Sequence, residues 1–287
     1  MTDAGSPKPG TPRVIVVGSL NHDTIVRTPR LPAPGETVLG NELIHRFGGK
    51  GANQAAAAAA AGASTVMVGA IGGDPEGHAY LERLRALRIH PRVAMVGEFP
   101  TGRAIVTVDD EGANTITVIP GANADMTPMR VAVALMDLTA ADVVVVQLEL
   151  PLDAVVQAVA IAADRGARVV LNLAPYADLP AEVLAYADPV VVNEGEAERL
   201  AEAGLTPPSL VITRGARGAT WGDLDMPAAP AAVVDTTGAG DAFCGGLAAA
   251  LLRGTDRQAA LEAGAASAAR VIAHHGAQPY PSRTGSS

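Results

Sequence analysis

Asp142-Val143-Val144-Val145-Val146-Gln147-Leu148 opens the stretch that decides the fold. Four consecutive valines form a β-branched run with no polar alternation, the pattern of a strand buried on both faces. A helix is expected over 152–165, then a strand over 167–172 and a helix over 180–186. A strand over 188–192, a helix over 194–203, a strand over 209–213 and further helices complete the series. Buried strands alternating with helices predict an α/β chain: a mostly parallel central sheet with helices on both faces.

The same rhythm extends toward the N-terminus. Arg13-Val14-Ile15-Val16-Val17-Gly18 reads as a buried strand ending in glycine, and Val66 to Ala70 as another. An alanine-rich helix runs from Ala52 to Gly62, where the glycine ends it. Pro75 to Leu87 is amphipathic, with Tyr80, Leu81, Leu84 and Leu87 on its apolar side. Leu31-Pro32-Ala33-Pro34-Gly35-Glu36 is a loop. Arg103 to Val108 and Asn114 to Ile119, joined by Asp109-Asp110-Glu111-Gly112, read as a hairpin that breaks the rhythm. A small β lid is therefore expected from about 23–47 and 99–120. It would project over the carboxyl edge of the sheet, where open α/β folds bind ligands. Residues 1–12, rich in Pro and Gly, read as a flexible tail, and 13–287 as one domain carrying the lid.

Composition narrows the function classes. The 287 residues are 48% hydrophobic and 18% charged, enough for a sizeable core. A net charge of −9 argues against a nucleic-acid surface, which would be basic. The single cysteine, Cys244, excludes an intramolecular disulfide and reads as a buried, inert side chain. The six histidines show no metal-ligand spacing, and His274-His275 reads as a surface pair near a helix end. Met1 to Pro12 is not a secretory signal, and the apolar runs are too short to span a bilayer. No membrane association and a cytoplasmic location are expected. Only two lysines occur, Lys8 in the tail and Lys50 in the body.

Val234-Asp235-Thr236-Thr237-Gly238-Ala239-Gly240-Asp241-Ala242-Phe243 carries the chemistry. Its Gly-Ala-Gly turn precedes an apolar helical run reaching Leu252. Unpaired N–H groups and the positive dipole end favour an anion there, and glycine lets the backbone approach it. Asp241 then stands where negative charge arrives. Phosphoryl transfer needs both features: amides of Gly238, Ala239 and Gly240 to hold developing charge, and a carboxylate to take the proton of an attacking hydroxyl. The bland alternative is an acidic first-turn residue that complements the helix dipole.

Arg46-Phe47-Gly48-Gly49-Lys50-Gly51-Ala52-Asn53-Gln54 is a second glycine-rich turn opening a helix. Lys50 is followed by Gly, so this is not a P-loop, and Phe243 stands where a dinucleotide fingerprint needs glycine. Lys50 and Asn53, three apart, share a helical face that can hydrogen-bond a polyhydroxy ligand; helix-start chemistry is the alternative. In Gly18-Ser19-Leu20-Asn21-His22-Asp23, the polar residues Asn21 and Asp23 face the same way after a strand and suit sugar hydroxyls. An Asx-turn is the alternative. Asn193 and Glu196 are placed to organise hydrated Mg²⁺, or else to form an N-cap with an acidic third residue. Thr213-Arg214-Gly215-Ala216-Arg217-Gly218 puts glycines and positive charge where a polyphosphate would lie.

Together these segments resemble the ribokinase-like (PfkB-type) carbohydrate kinases, from about Val14 to Pro279. Further pieces of the resemblance are Pro34-Gly35-Glu36-Thr37, Gly121-Ala122-Asn123-Ala124, Gln147-Leu148-Glu149 and Gly276-Ala277-Gln278-Pro279. The resemblance implies a sheet domain with a β lid that also forms a homodimer contact. It implies ATP with Mg²⁺, and a monovalent cation, K⁺, as activator. Carried over by position, Asp241 is the base for the 5-hydroxyl of D-ribose, with Ala239 and Gly240 as anion hole. Asn21, Asp23, Gly49, Lys50, Asn53 and Glu149 are implied sugar contacts. Asn193, Glu196, Thr213, Gly215, Gly218 and Gly240 are implied nucleotide or magnesium contacts, Glu196 reaching the metal through water. Asp235, Thr237 and Gly276 are implied cation-site positions. The chain departs from the family in a short 200–209 connection, in an early C-terminus without the usual last helix, in Tyr280 where serine is common, and in Gly264-Ala265 where His or Asn often flanks the adenine. Kinases of deoxyribose, another pentose or a nucleoside are sibling alternatives, and a non-catalytic sugar-binding protein is an alternative of another class.

Overall fold

The computed structural model describes residues 10–278. The expected tail falls mostly, and Tyr280 wholly, outside the described residues. In chain order the strands and helices are β1 (Val14–Val17), β2 (Asn21–Arg27), β3 (Glu42–Gly48), α1 (Lys50–Ala60), β4 (Thr65–Gly72), α2 (Pro75–Ala86), β5 (Ile89–Val96), β6 (Arg103–Val108) and β7 (Asn114–Ile119). There follow α3 (Pro128–Ala134), β8 (Val143–Val146), α4 (Leu152–Arg165), β9 (Arg168–Asn172), α5 (Ala181–Tyr186), β10 (Val190–Asn193) and α6 (Glu194–Glu202). The last are β11 (Leu210–Thr213), β12 (Ala219–Trp221), β13 (Leu224–Met226), α7 (Ala239–Leu252) and α8 (Arg257–Ile272).

Nine strands form the central sheet in the order β13-β12-β11-β10-β9-β8-β1-β4-β5. Pairing is parallel from β11 to β5, and β12 and β13 add an antiparallel edge. Along β1 the side chains alternate between two cores. Val14 and Val16 pack with residues of α1, α2, α7 and α8, whereas Ile15 and Val17 pack with α3, α4, α5 and α6. The sheet is therefore covered on both faces, as the unbroken valine runs require. The remaining strands form a separate four-stranded sheet in the order β3-β2-β6-β7, antiparallel except for the β2–β6 pair.

Strand order reverses between β1 and β8: the chain first builds outward through β4 and β5, then returns on the other side through β8 to β11. Loops leaving two such strands diverge, which opens a crevice at their carboxyl ends. The residues after β1 (Gly18, Ser19) and after β8 (Gln147 to Glu149) lie there. Against the same crevice sit the N-terminal ends of α1 and α7, held together by close packing. A Cβ on Gly245 would lie 2.4 Å from the Gln54 carbonyl oxygen, and one on Gly51 would lie 2.6 Å from the Ser19 nitrogen. Both glycines are needed for backbone to approach backbone. The connection 203–209 carries no helix, as its length predicts.

The structure corrects one placement. Asn21 and Asp23 do not end the first strand; they open β2 of the small sheet. Elements absent from the sequence-based series are β5, α3 and the β12–β13 hairpin.

Gly245→Ala is expected to destabilise the chain by about 1–3 kcal/mol, the usual effect of overpacking. Thermal unfolding of the variant checks this. An unchanged Tm would mean that α1 and α7 have room to separate.

Candidate active site

Gly238 caps α7 with φ of +75°. A Cβ there would meet Ala277 Cβ at 2.2 Å, so both conformation and space demand glycine. Ala239, expected in the anion hole, gives its N–H to Thr236 O at 3.2 Å. The N–H groups of Gly240 and Asp241 have no backbone acceptor among the described residues. Beyond its chain neighbours and the α7 backbone, no atom lies within 4 Å of where a Cβ on Gly240 would stand, so there is open space beside the helix end.

Asp241 is the third residue of α7 and is only 7% exposed. Two side-chain amides from α1 hold it: Asn53 Nδ2 donates to Oδ2 at 2.9 Å and Gln54 Nε2 to Oδ1 at 3.1 Å. Burial pushes the carboxyl above its ordinary range, against the Lys50 charge and the two amide donors. Lys50 is the first residue of α1, so it and Asn53 do lie one helical turn apart. Burial disfavours its charge, but the nearby Asp241, Glu149 and Glu196 carboxylates outweigh this and hold the ammonium above its usual value. The result is a buried carboxylate next to a half-buried ammonium beside a helix N-terminus with unpaired N–H groups.

One cavity of about 180 Å³ collects Lys50, Asn193, Glu196, Thr213, Gly238, Ala239, Gly240 and Asp241. Lys50 thus stands with the expected nucleotide and magnesium residues as well as beside the sugar side. Asn193 and Glu196 form a complete capping box: Asn193 Oδ1 accepts from Glu196 N, and Glu196 Oε2 from Asn193 N, both at 2.8 Å. The bland reading of this pair is therefore real, and the capping fixes Glu196 at the cavity wall. Burial raises the Glu196 carboxyl. Among the described residues no group of three or more His, Cys, Asp or Glu could hold a metal. Such a wall suits Mg²⁺, which keeps its waters and relies on phosphate oxygens, and not a metal caged by protein. Thr213 Oγ1 donates to Val192 O at 3.1 Å. Gly215 and Gly218, expected at the nucleotide, do not line this cavity; they shape the turn before β12, with φ of +56° and +88°.

A second cavity, about 340 Å³, is lined by Ser19, Asn21, Pro120, Asn123, Glu149 and Pro175 among others. Glu149 Oε2 joins the two cavities, accepting from Ser19 Oγ at 2.5 Å and from Lys50 N at 3.0 Å. Asn21 Oδ1 accepts from Asn123 Nδ2 at 2.9 Å. Asp23, on the same face of β2, accepts from Ala104 N at 3.2 Å. Burial, opposed by that hydrogen bond and assisted by Glu149, pushes the Asp23 carboxyl up to about 7. Gly48 makes room for it, since a Cβ there would lie 1.9 Å from Asp23 Oδ2. Gly49 turns the chain into α1 with φ of +86°.

Asp235, Thr237 and Gly276 also meet. Asp235 accepts from the backbone N–H of Thr237 through Oδ1 and of Gly276 through Oδ2, each at 2.9 Å. The carboxylate ties the loop before α7 to the segment after α8. Cys244 is fully buried, and His274 and His275 are exposed. Gln54, Tyr80, Asn123 and Gln278 complete the site without being singled out by motif spacing. For Gln54 a signal exists: it and Asn53 are the only polar side chains between Ala52 and Ala61, a run otherwise all alanine.

Residues 11–284 match the family described as pfkB family carbohydrate kinase. The ribokinase of Bacillus subtilis is 36% identical over 92% of this chain and 94% of its own. A deoxyribokinase of Salmonella typhi is 32% identical over 94% and 95%. The structure of Arabidopsis thaliana ribokinase complexed with ribose and ATP superposes with a TM-score of 0.82, at 29% identity, over 94% of this chain and 96% of that one. The chain belongs to the pfkB family of carbohydrate kinases. It is a kinase of the ribokinase group within that family. No helix among the described residues is long and apolar enough to cross a membrane.

The raised Asp23 carboxyl has a stability consequence. The unfolded chain loses this proton near 3.8 and the folded chain near 7. Its stabilising contribution is complete below about pH 4 and is lost as pH rises through about 7. Asp23→Asn should match wild type near pH 4 and exceed it by on the order of 1 kcal/mol at pH 8. Thermal unfolding at both pH values checks this; a variant no more stable than wild type at pH 8 contradicts it.

Proposed function

We propose that this chain phosphorylates D-ribose at its 5-hydroxyl, with ATP as donor. The observation that carries the reading is Asp241: a buried carboxylate oriented by two amides at an open helix N-terminus, with Lys50 beside it. Asn21, Asp23, Gly49, Asn53 and Glu149 surround the sugar, and their carboxylate and amide oxygens accept hydrogen bonds from its hydroxyls. Asp241 takes the proton of the attacking hydroxyl. The free amides of Gly240 and Asp241, with the α7 dipole, hold the charge that develops on the transferred phosphoryl group. Lys50 compensates the charge between the two cavities. Bound Mg-ATP supplies the γ-phosphoryl group, with Asn193, Glu196, Thr213, Gly215 and Gly218 on its side of the site. Asp235, Thr237 and Gly276 hold K⁺, which keeps the loop before α7 in place.

The four-stranded sheet serves as the lid over the sugar and as the contact of a homodimer in the cytoplasm. Supporting this, Ile116 and Val118, on the Asp23 face, are 60% and 51% exposed. Light scattering that returned the mass of a single chain would refute the dimer.

Sibling substrates are the second reading. The larger cavity extends past Asn21 and Glu149 to Pro120, Pro151 and Pro175, so a sugar bearing a larger C1 substituent has space. Comparing kcat/KM for ribose, 2-deoxyribose and nucleosides decides between them.

Asp241→Asn should leave sugar binding nearly intact and lower kcat by about two to four orders of magnitude, the usual contribution of a positioned base. Calorimetry for binding and steady-state kinetics for turnover check the two halves separately. Near-normal turnover would remove Asp241 from the role of base.

A further inference from the structure

Asn53 can donate to Asp241 only with its amide in one of two orientations, and the structure shows what selects it. Gln278 Nε2 donates to Asn53 Oδ1 at 3.1 Å, which leaves Nδ2 facing Asp241. Gln278 is itself oriented from two sides. Arg83, which can only donate, directs Nε toward Gln278 Oε1 at 3.5 Å. Tyr80 gives its proton to Gly48 O at 2.5 Å, so toward Gln278 Nε2, 3.1 Å away, its oxygen accepts. The resulting chain Arg83–Gln278–Asn53–Asp241 runs from an obligatory donor to an obligatory acceptor, and only one polarity satisfies every member. Its middle is dry: Gln278 is 6% exposed, and Tyr80 and Asn53 are buried. The segment carrying Gln278 is anchored by the Gly276 N–H on Asp235.

We infer that Gln278, 225 residues from Asn53 in sequence, is a positioning residue that sets the amide orientation of Asn53 and through it the carboxylate of Asp241. The inference rests on the reading of Asp241 as the base. Without Gln278, only Asp241 itself holds the Asn53 amide with its nitrogen toward the carboxylate, and the amide gains freedom to rotate out of that hydrogen bond. The ionised base is then disfavoured, and its oxygens are no longer held toward the hydroxyl. The other groups around Asp241 are Lys50 and Gln54 from α1, Glu149 after β8, Cys244 in α7 and, across the shared cavity, Glu196 from α6.

The test is ¹³C NMR of the Asp241 carboxyl across pH in the full chain, wild type and Gln278→Met, together with kinetics. In the variant Asp241 should titrate at higher pH. Turnover should fall roughly tenfold with KM for the sugar within about twofold, as expected when a charged hydrogen bond is lost at the reacting group. In an Asp241→Asn background, Gln278→Met should lower kcat no further. In wild type, the side-chain amide protons of Gln278 should shift as Asp241 titrates, a readout that needs no variant. Silent Gln278 amide protons, or identical Asp241 titrations in the two proteins, would overturn the inference. A shifted titration with no turnover on any sugar would uphold the role of Gln278 toward Asp241 and sink the catalytic reading.

Discussion

The contact on which the site depends is between two side-chain amides on α1 and one carboxylate on α7. Asp241 sits away from water, where an unpaired charge would be strongly disfavoured. Asn53 and Gln54 donate to its two oxygens, and Lys50 supplies the compensating charge. The hydrogen bonds fix the direction of the carboxylate, and burial makes it a stronger proton acceptor than a surface aspartate. Neither effect is available unless α1 and α7 touch along their first turns. Gly245 allows that contact by omitting the Cβ that would hold α7 away from α1, and Gly51 likewise lets α1 close on the Gly18–Ser19 backbone after β1.

The sheet sets the rest of the geometry. Reversal of strand order between β1 and β8 opens the crevice, and the loops leaving those strands deliver Ser19, Asn21 and Glu149 to it. The small sheet brings Asp23 from above. Its half-buried carboxyl, pushed up to about 7, is held at some cost to stability in neutral solution. Strain of this kind belongs at a functional site, where the ligand and not the fold satisfies the group.

Much of this was legible in the sequence, because buried parallel strands announce themselves as valine runs. β1, β4 and β8 to β11 carry such runs, and the intervening helices follow from their periodicity. β5 was not legible: Pro91 interrupts it, which an edge strand tolerates but a propensity reading penalises. α3 was hidden for another reason. Thr127 and Pro128 mark its start, yet Met129 and Val133 face solvent, so its apolar pattern does not point to the core. β12 and β13 are three residues each and gain their pairing from the neighbouring β11. At the site, Asp241, Lys50 and Asn53 were readable from glycine-rich turns, and Glu149 through the family resemblance alone. Gln54 stood out only as a polar break in an alanine run, Tyr80 only as an apolar helix position, and Asn123 and Gln278 only inside family motifs, since their hydrogen bonds join distant segments. Gly215 and Gly218 form a glycine-rich turn beside a strand end that shapes the approach to β12 and does not line the cavity of Lys50 and Asp241.

The most direct test of the account is the position of the phosphate on the product. Proton-coupled ³¹P NMR of a reaction containing Mg-ATP and D-ribose distinguishes the possible esters. Phosphate on the 5-oxygen couples to two protons and gives a triplet-like signal, which is the result expected if Asp241 activates the 5-hydroxyl. A doublet would place the phosphate on a ring carbon bearing one proton, and unchanged ATP would mean that ribose is not the acceptor; either would contradict the account.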